Sequence, residues 1–195
     1  MRLLLSTLLF LSLVPVAFGQ AALLTLPPGS ASAALADAQV TQATAFSPLL
    51  NPAAMGALAG AEGGGSVLRF AGRTATFASG VVPLGARVRT GAYAGLFVAP
   101  DPLVDPQPGE SATSQFQSGL LGAAISVQLG RFQAGGGAKV FVEDVGDTRA
   151  TWLAYDVGGT ATFGGGDVVV GAVLKNFGTA LTGQTVYDDC VAGNP

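Results

Sequence analysis

The chain contains no histidine and a single cysteine, Cys190. The first absence removes histidine-dependent catalytic triads and histidine-ligated zinc or haem. The second removes cysteine clusters for metal and any internal disulfide framework, and leaves Cys190 as a chance residue. Charge is equally scarce: Asp, Glu, Lys and Arg make up 11% of the residues, against roughly 25% in ordinary soluble domains. A net charge of −3 and a pI near 4.7 leave no clustered basic surface of the kind that nucleic acid requires. Long apolar runs are missing too once the N-terminus is passed, since the longest, 168–174, is interrupted by Gly171. The glycines before Lys139 lack the spacing of a phosphate loop and fall inside a predicted strand. Asp101, Asp105 and Glu110 lack the spacing of a calcium loop and read as a solvated, Pro-rich connection. Together these absences predict a protein that is not an enzyme and carries neither cofactor nor metal.

The N-terminus sets the expected compartment. Arg2 precedes an apolar stretch over 3–16, and Ala17-Phe18-Gly19 supplies small residues at the −3 and −1 positions before Gln20, the layout of a cleaved secretory signal. As a helix, the apolar stretch would span roughly 21 Å, short of the ~30 Å hydrocarbon core that an anchor must cross.

Beyond the signal the chain is hydrophobic without being hydrophobic in runs. It is 49% hydrophobic, with a mean hydropathy of +0.51. Apolar residues dispersed in this way suit a lipid-facing β-barrel, in which every second residue of each strand meets lipid. Period-two patterning is clearest in the second half. Over 131–143, Phe132, Ala134, Gly136, Ala138, Val140 and Val142 alternate with Arg131, Gln133, Gly135, Gly137, Lys139, Phe141 and Glu143, so that every charge lies on one face. Over 151–163, Leu153, Tyr155, Val157, Ala161 and Phe163 oppose Trp152, Asp156, Thr160 and Thr162. Over 119–129, Leu121 to Leu129 in steps of two face away from Ser126 and Gln128. Over 167–176 the alternation is looser, with Val169 and Val173 on the side of Asp167 and Lys175.

Seven strands are predicted, at about 64–70, 73–82, 86–99, 113–128, 131–143, 151–163 and 167–176. Tight connections at 83–85, 129–130 and 164–166 alternate with longer ones at 100–111 and 144–150, the asymmetry of outer-membrane barrels with short periplasmic turns. Only the first connection, Ala71-Gly72, is shorter than that scheme expects. A soluble β-sandwich also alternates, but its outer faces need charge, and both faces here have little. The expected fold is therefore all-β: an antiparallel transmembrane β-barrel of outer-membrane type. The division is a signal peptide at 1–19, a plug-like segment with a short helix (31–45) and an Asn-Pro-Ala loop at 20–62, barrel strands at 63–176, and a loop-like tail at 177–195. Residues 61–65 read as a flexible joint. The polar-face residues Arg131, Gln133, Lys139, Glu143, Asp156 and Lys175 are expected to face the lumen, where they would hold the plug, line a ligand path or keep the lumen wet.

Three stretches resemble the PorV/PorQ family of outer-membrane proteins, which share their architecture with FadL-type fatty-acid channels. One is the hydrophobic start at 23–31 with the Ala-rich 34–38; a second is 46–56, containing Asn51-Pro52-Ala53; the third is 162–178, ending in Asn176-Phe177-Gly178. The resemblance covers about 22–180. It departs from the family pattern at Ala33-Ala34-Leu35 and in lacking an acidic pair before Asn51. It implies that Asn51, Pro52 and Ala53 lie at a plug entering the barrel, and that the third stretch is a hairpin whose strand ends at the Asn-aromatic-Gly step. It further implies a bacterial outer-membrane location with lipid as a partner, and one of two roles: binding and shuttling of exported proteins in type IX secretion, or passage of hydrophobic small molecules. Barrels of this kind are expected to have about fourteen strands and a terminal aromatic residue. Seven strands and a terminal Pro195 therefore predict a truncated N-terminal half, with pairing of two copies as the other option, and a fragment with no function of its own stands as the third functional reading.

Overall fold

The computed structural model describes residues 23, 26–28, 39–70, 72–100, 115–145 and 148–182. The signal segment, positions 31–38 of the expected helix, the connection bearing Asp101, Asp105 and Glu110, and the end of the tail with Cys190 lie outside them. The period-two segments form one antiparallel meander. Its strands are β1 (Glu62–Phe70), β2 (Arg73–Pro83), β3 (Val88–Pro100), β4 (Gln115–Leu129), β5 (Phe132–Val145), β6 (Thr148–Phe163) and β7 (Val168–Thr182). They are hydrogen-bonded strictly in that order, and among the described residues the sheet is not closed: β1 and β7 are its two edges.

The seven strands lie where the alternation places them, with instructive differences. The expected flexible joint is the start of β1, where Glu62, Gly63, Gly64 and Gly65 pair with Val81, Gly80, Ser79 and Ala78. Glycine is used there for clearance, because a Cβ on Gly64 would sit 3.2 Å from Ala45 Cβ and 3.3 Å from the Phe46 ring. The connection expected at 144–150 is mostly strand: Val145 pairs with Thr148, leaving 146–147 between β5 and β6. The contrast between short and long connections therefore reduces to the single long one between β3 and β4. The last strand does not end at Asn176. It bulges there and continues to Thr182, taking up the first part of the expected loop-like tail.

One face of the sheet is covered. Residues 39–45 are turn and irregular backbone rather than the expected helix, with the Gln42 N–H donating to the Gln39 carbonyl at 3.1 Å. The expected loop at 47–52 instead starts with a short helix, α1 (Ser47–Leu50), followed by a 3-10 helix (Pro52–Ala57). Pro48 and Pro52 open these turns, where a missing N–H costs nothing. Leu23 and Leu49 pack with Phe77, Tyr93, Phe97, Leu120 and Phe141 from the sheet, while Met55 and Leu58 pack on Val81 and Ala124. The core thus lies between the N-terminal segment and one face of the sheet.

Candidate functional site: the covered face and the buried ion pair

The covered face is polar at its centre and lined with glycine. Asn51 is fully buried; its side-chain NH2 donates to the Val40 carbonyl at 2.6 Å and its Oδ1 accepts from the Ala53 N–H at 3.1 Å. This ties the turn before α1 to the turn after it, and both pass over glycines. A Cβ on Gly135 (β5) would stand 2.5 Å from the Ala53 nitrogen, one on Gly91 (β3) 2.5 Å from Pro48 Cγ, and one on Gly158 (β6) would collide with Asn51 Oδ1. Three strands thus give up their side chains at the places where the segment touches down, as close backbone approach requires. Arg89, also buried, donates from Nε to the Leu58 carbonyl at 3.1 Å and from Nη1 to the Gly85 carbonyl at 2.9 Å, clamping the end of the segment to the β2–β3 turn. At the other end the Ser66 hydroxyl donates to the Pro28 carbonyl.

Beside this seat lies a salt bridge that solvent does not reach. Lys139 Nζ is 2.8 and 2.6 Å from the two Asp156 oxygens, and each side chain is 1% exposed. Asp156 Oδ1 also accepts the Asn176 N–H at 2.8 Å. Asn176 has φ +61°, a left-handed conformation that Asn tolerates better than most residues, and the β6–β7 register shifts between Tyr155 and Val157. Asp156 therefore holds both a cation across β5 and the backbone of a β-bulge in β7. Tyr93 reaches over Gly122, its direct partner on the neighbouring strand β4, occupying the space where a Cβ would be.

Of the six polar-face candidates, Lys139 and Asp156 are brought together. Gln133 lies on the same face, with its Oε1 accepting the Thr160 hydroxyl at 2.9 Å and its chain under Gly56. Glu143 is half-buried opposite Ser118, and Lys175 is half-buried beside the bulge. Arg131 departs from the expectation. It is exposed in the β4–β5 turn, and its guanidinium lies 5.1 Å from the Phe132 ring and 5.5 Å from the Phe163 ring. The reason is local: Arg131 follows Gly130, which has φ +65°, so strict alternation has not yet begun, and the two rings offer a cation–π seat. Asn51, Pro52 and Ala53 lie together in the segment that covers the sheet. Arg89 and Tyr93 were not singled out from sequence, and Asn176 was read only as the end of a strand. Arg89 and Tyr93 share a face with Gly91, a signal that was available; the role of Asn176 depends on a partner twenty residues away and was not.

Among the described residues, no three His, Cys, Asp or Glu side chains gather where they could hold a metal ion. No described helix is long and apolar enough to cross a membrane, which says nothing of crossing by strands. The chain matches no protein-family model, no curated protein and no solved structure.

Proposed function

We propose that this sheet is part of an outer-membrane β-barrel whose lumen is plugged by the segment at 39–58, and that it acts by binding rather than by catalysis. The observation that carries the reading is that the sheet is inside out. Its buried face holds Lys139, Asp156, Arg89, Ser126 and Thr160, while Leu121, Ile125, Val157, Val170 and Leu174 are more than half exposed on the other. Between the rims, the outward residues of β4 to β7 at 119–129, 132–142, 153–163 and 168–174 are all Gly, Ala, Val, Leu, Ile, Phe or Tyr. Water would penalise such a surface; hydrocarbon favours it. The strands, from 9 to 16 residues long, reach or exceed the roughly 9–11 residues that a tilted membrane strand needs.

The open edges belong to the same reading. Six antiparallel pairings leave β1 and β7 running in the same direction. An all-antiparallel closure therefore requires an odd number of additional strands, giving the even total usual for such barrels. Two copies in one membrane orientation would instead meet through parallel edges. Edges left open in lipid cost several kcal/mol per backbone group, so closure is a condition of insertion. Of the two roles that the PorV/PorQ resemblance implies, escort of exported proteins is favoured over passage of hydrophobic small molecules. The plug is seated by hydrogen bonds and by fully buried Asn51, Ala53 and Met55 rather than resting loosely over an open path.

The test is separation of inner and outer membranes from cells making the protein, followed by extraction of the outer fraction with alkaline carbonate. The expected result is protein retained in the outer-membrane pellet; recovery in the soluble periplasmic fraction would refute the reading. In planar bilayers the extracted protein is expected to show no steady conductance, and open-channel current would favour the transport role.

A further inference from the structure

We propose that the rim formed by the β4–β5 and β6–β7 turns binds the phosphate headgroup of a phospholipid, with Arg131 as its cationic contact; this rests on the membrane reading above. A cavity of about 500 Å3 opens at this rim, lined by Gln128, Arg131, Gln133, Thr162 and the turn Gly164–Gly166. Arg131 is exposed and takes part in no salt bridge among the described residues, where the ion pairs are Lys139–Asp156 and Arg149–Asp144. Its guanidinium rests against Phe132 and Phe163, which fix its position and leave its N–H edges for an anion. Gln133 already accepts from Thr160 through Oε1, so its amide NH2 is left to donate. The Gln128 N–H is committed to the Arg87 carbonyl at 2.8 Å, which anchors the β2–β3 turn beside the cavity.

The outward surface adjoining this rim decides the class of ligand. Phe132, Phe163, Val168 and Val170 are exposed there and form an apolar strip across β5 to β7, with Phe163 paired to Val168 and with Phe132 and Val170 on either side of Ala161. A free anion would use the guanidinium and ignore the strip; a hydrocarbon would use the strip and ignore the guanidinium. A phosphate joined to acyl chains uses both. The arrangement is that of a membrane interface, where aromatic rings sit at headgroup level and long cationic side chains reach the phosphates. Asp167, directly after the glycine turn, is the opposing charge nearby, so its removal should strengthen binding.

The experiment uses full-length protein extracted in mild detergent from outer membranes and stripped of lipid by extended washing. Dioleoyl phosphatidylglycerol is then added back, and bound lipid per protein is measured by native mass spectrometry. The wild type is expected to retain the lipid, Arg131→Gln to bind about tenfold more weakly, as loss of one charge-assisted contact implies, and Asp167→Asn to bind more tightly. Arg149→Gln, at the opposite rim, should bind like the wild type. Dioleoylglycerol, which lacks the phosphate, should bind no better to the wild type than to Arg131→Gln. Equal retention of phosphatidylglycerol by wild type and Arg131→Gln, in protein that still fractionates with the outer membrane, overturns the site but not the membrane reading. Full displacement of the lipid by millimolar inorganic phosphate overturns it in favour of a free-anion site. Absence of the protein from the membrane fraction overturns both.

Discussion

The two faces of this sheet are built from the same strands by opposite rules. On the covered face, glycine and charge are admitted where something meets them: Gly158 clears Asn51, Lys139 meets Asp156, and Arg89 holds the Leu58 carbonyl. On the other face, over 119–129, 132–142, 153–163 and 168–174, nothing polar is admitted, and among the described residues nothing covers the apolar side chains, with Leu121 67% exposed. In a water-soluble sandwich the assignments are reversed. The comparison shows that burial and polarity are separate variables. A buried polar face is stable where a fixed segment satisfies it, and an exposed apolar face where the surrounding medium is itself apolar.

The largest expected effect comes from breaking the covered face at its ion pair. Lys139→Met leaves the Asp156 carboxylate buried with only the Asn176 N–H and should cost about 3–5 kcal/mol in urea denaturation of the detergent-solubilised protein. Lys139→Met combined with Asp156→Leu removes the stranded charge and should cost less than the single change. Next is the outward face. Leu121→Arg should cost about 2–4 kcal/mol in lipid, as a cation near the bilayer midplane does; an exposed position on a soluble protein would take the change within about 0.5 kcal/mol. Gly158→Ala drives a methyl group into Asn51 and should cost about 1–3 kcal/mol by overpacking. Its clearest readout is faster proteolysis within 39–58, because the plug is displaced while the sheet remains. The smallest effect is expected at Arg149→Gln, which removes an exposed 2.9 Å pair with Asp144 worth at most about 1 kcal/mol.

The strands were legible because alternation is a property of neighbours in sequence, and the placement of Lys139 and Asp156 on one shared face follows from it. Features that need a distant partner were not legible. Asn176 reads as a strand end until Asp156 is seen to hold its N–H, at which point it becomes a bulge that lets β7 continue. Arg131 has the parity of the inner face, but a residue just past a left-handed glycine is not yet bound by parity, and two aromatic rings decide its position. The glycines at 91, 135 and 158 all lie beneath the segment at 39–58, where a Cβ on each would collide with it. The connection at 144–150 looked polar enough to be a loop, yet Arg149 and Asp144 pair at the rim without breaking the ladder.

The most direct test of the inside-out arrangement uses the single tryptophan. Trp152 packs against Phe141 on the covered side, with ring centroids 5.4 Å apart. A second protein carries Trp152→Phe together with Leu121→Trp, which moves the fluorophore to the outward face. Both are reconstituted in bilayers whose acyl chains carry bromine, a contact quencher. The expected result is strong quenching of Leu121→Trp and little quenching of native Trp152. Equal quenching at both positions, or none at Leu121→Trp in protein that is retained by the vesicles, would contradict it.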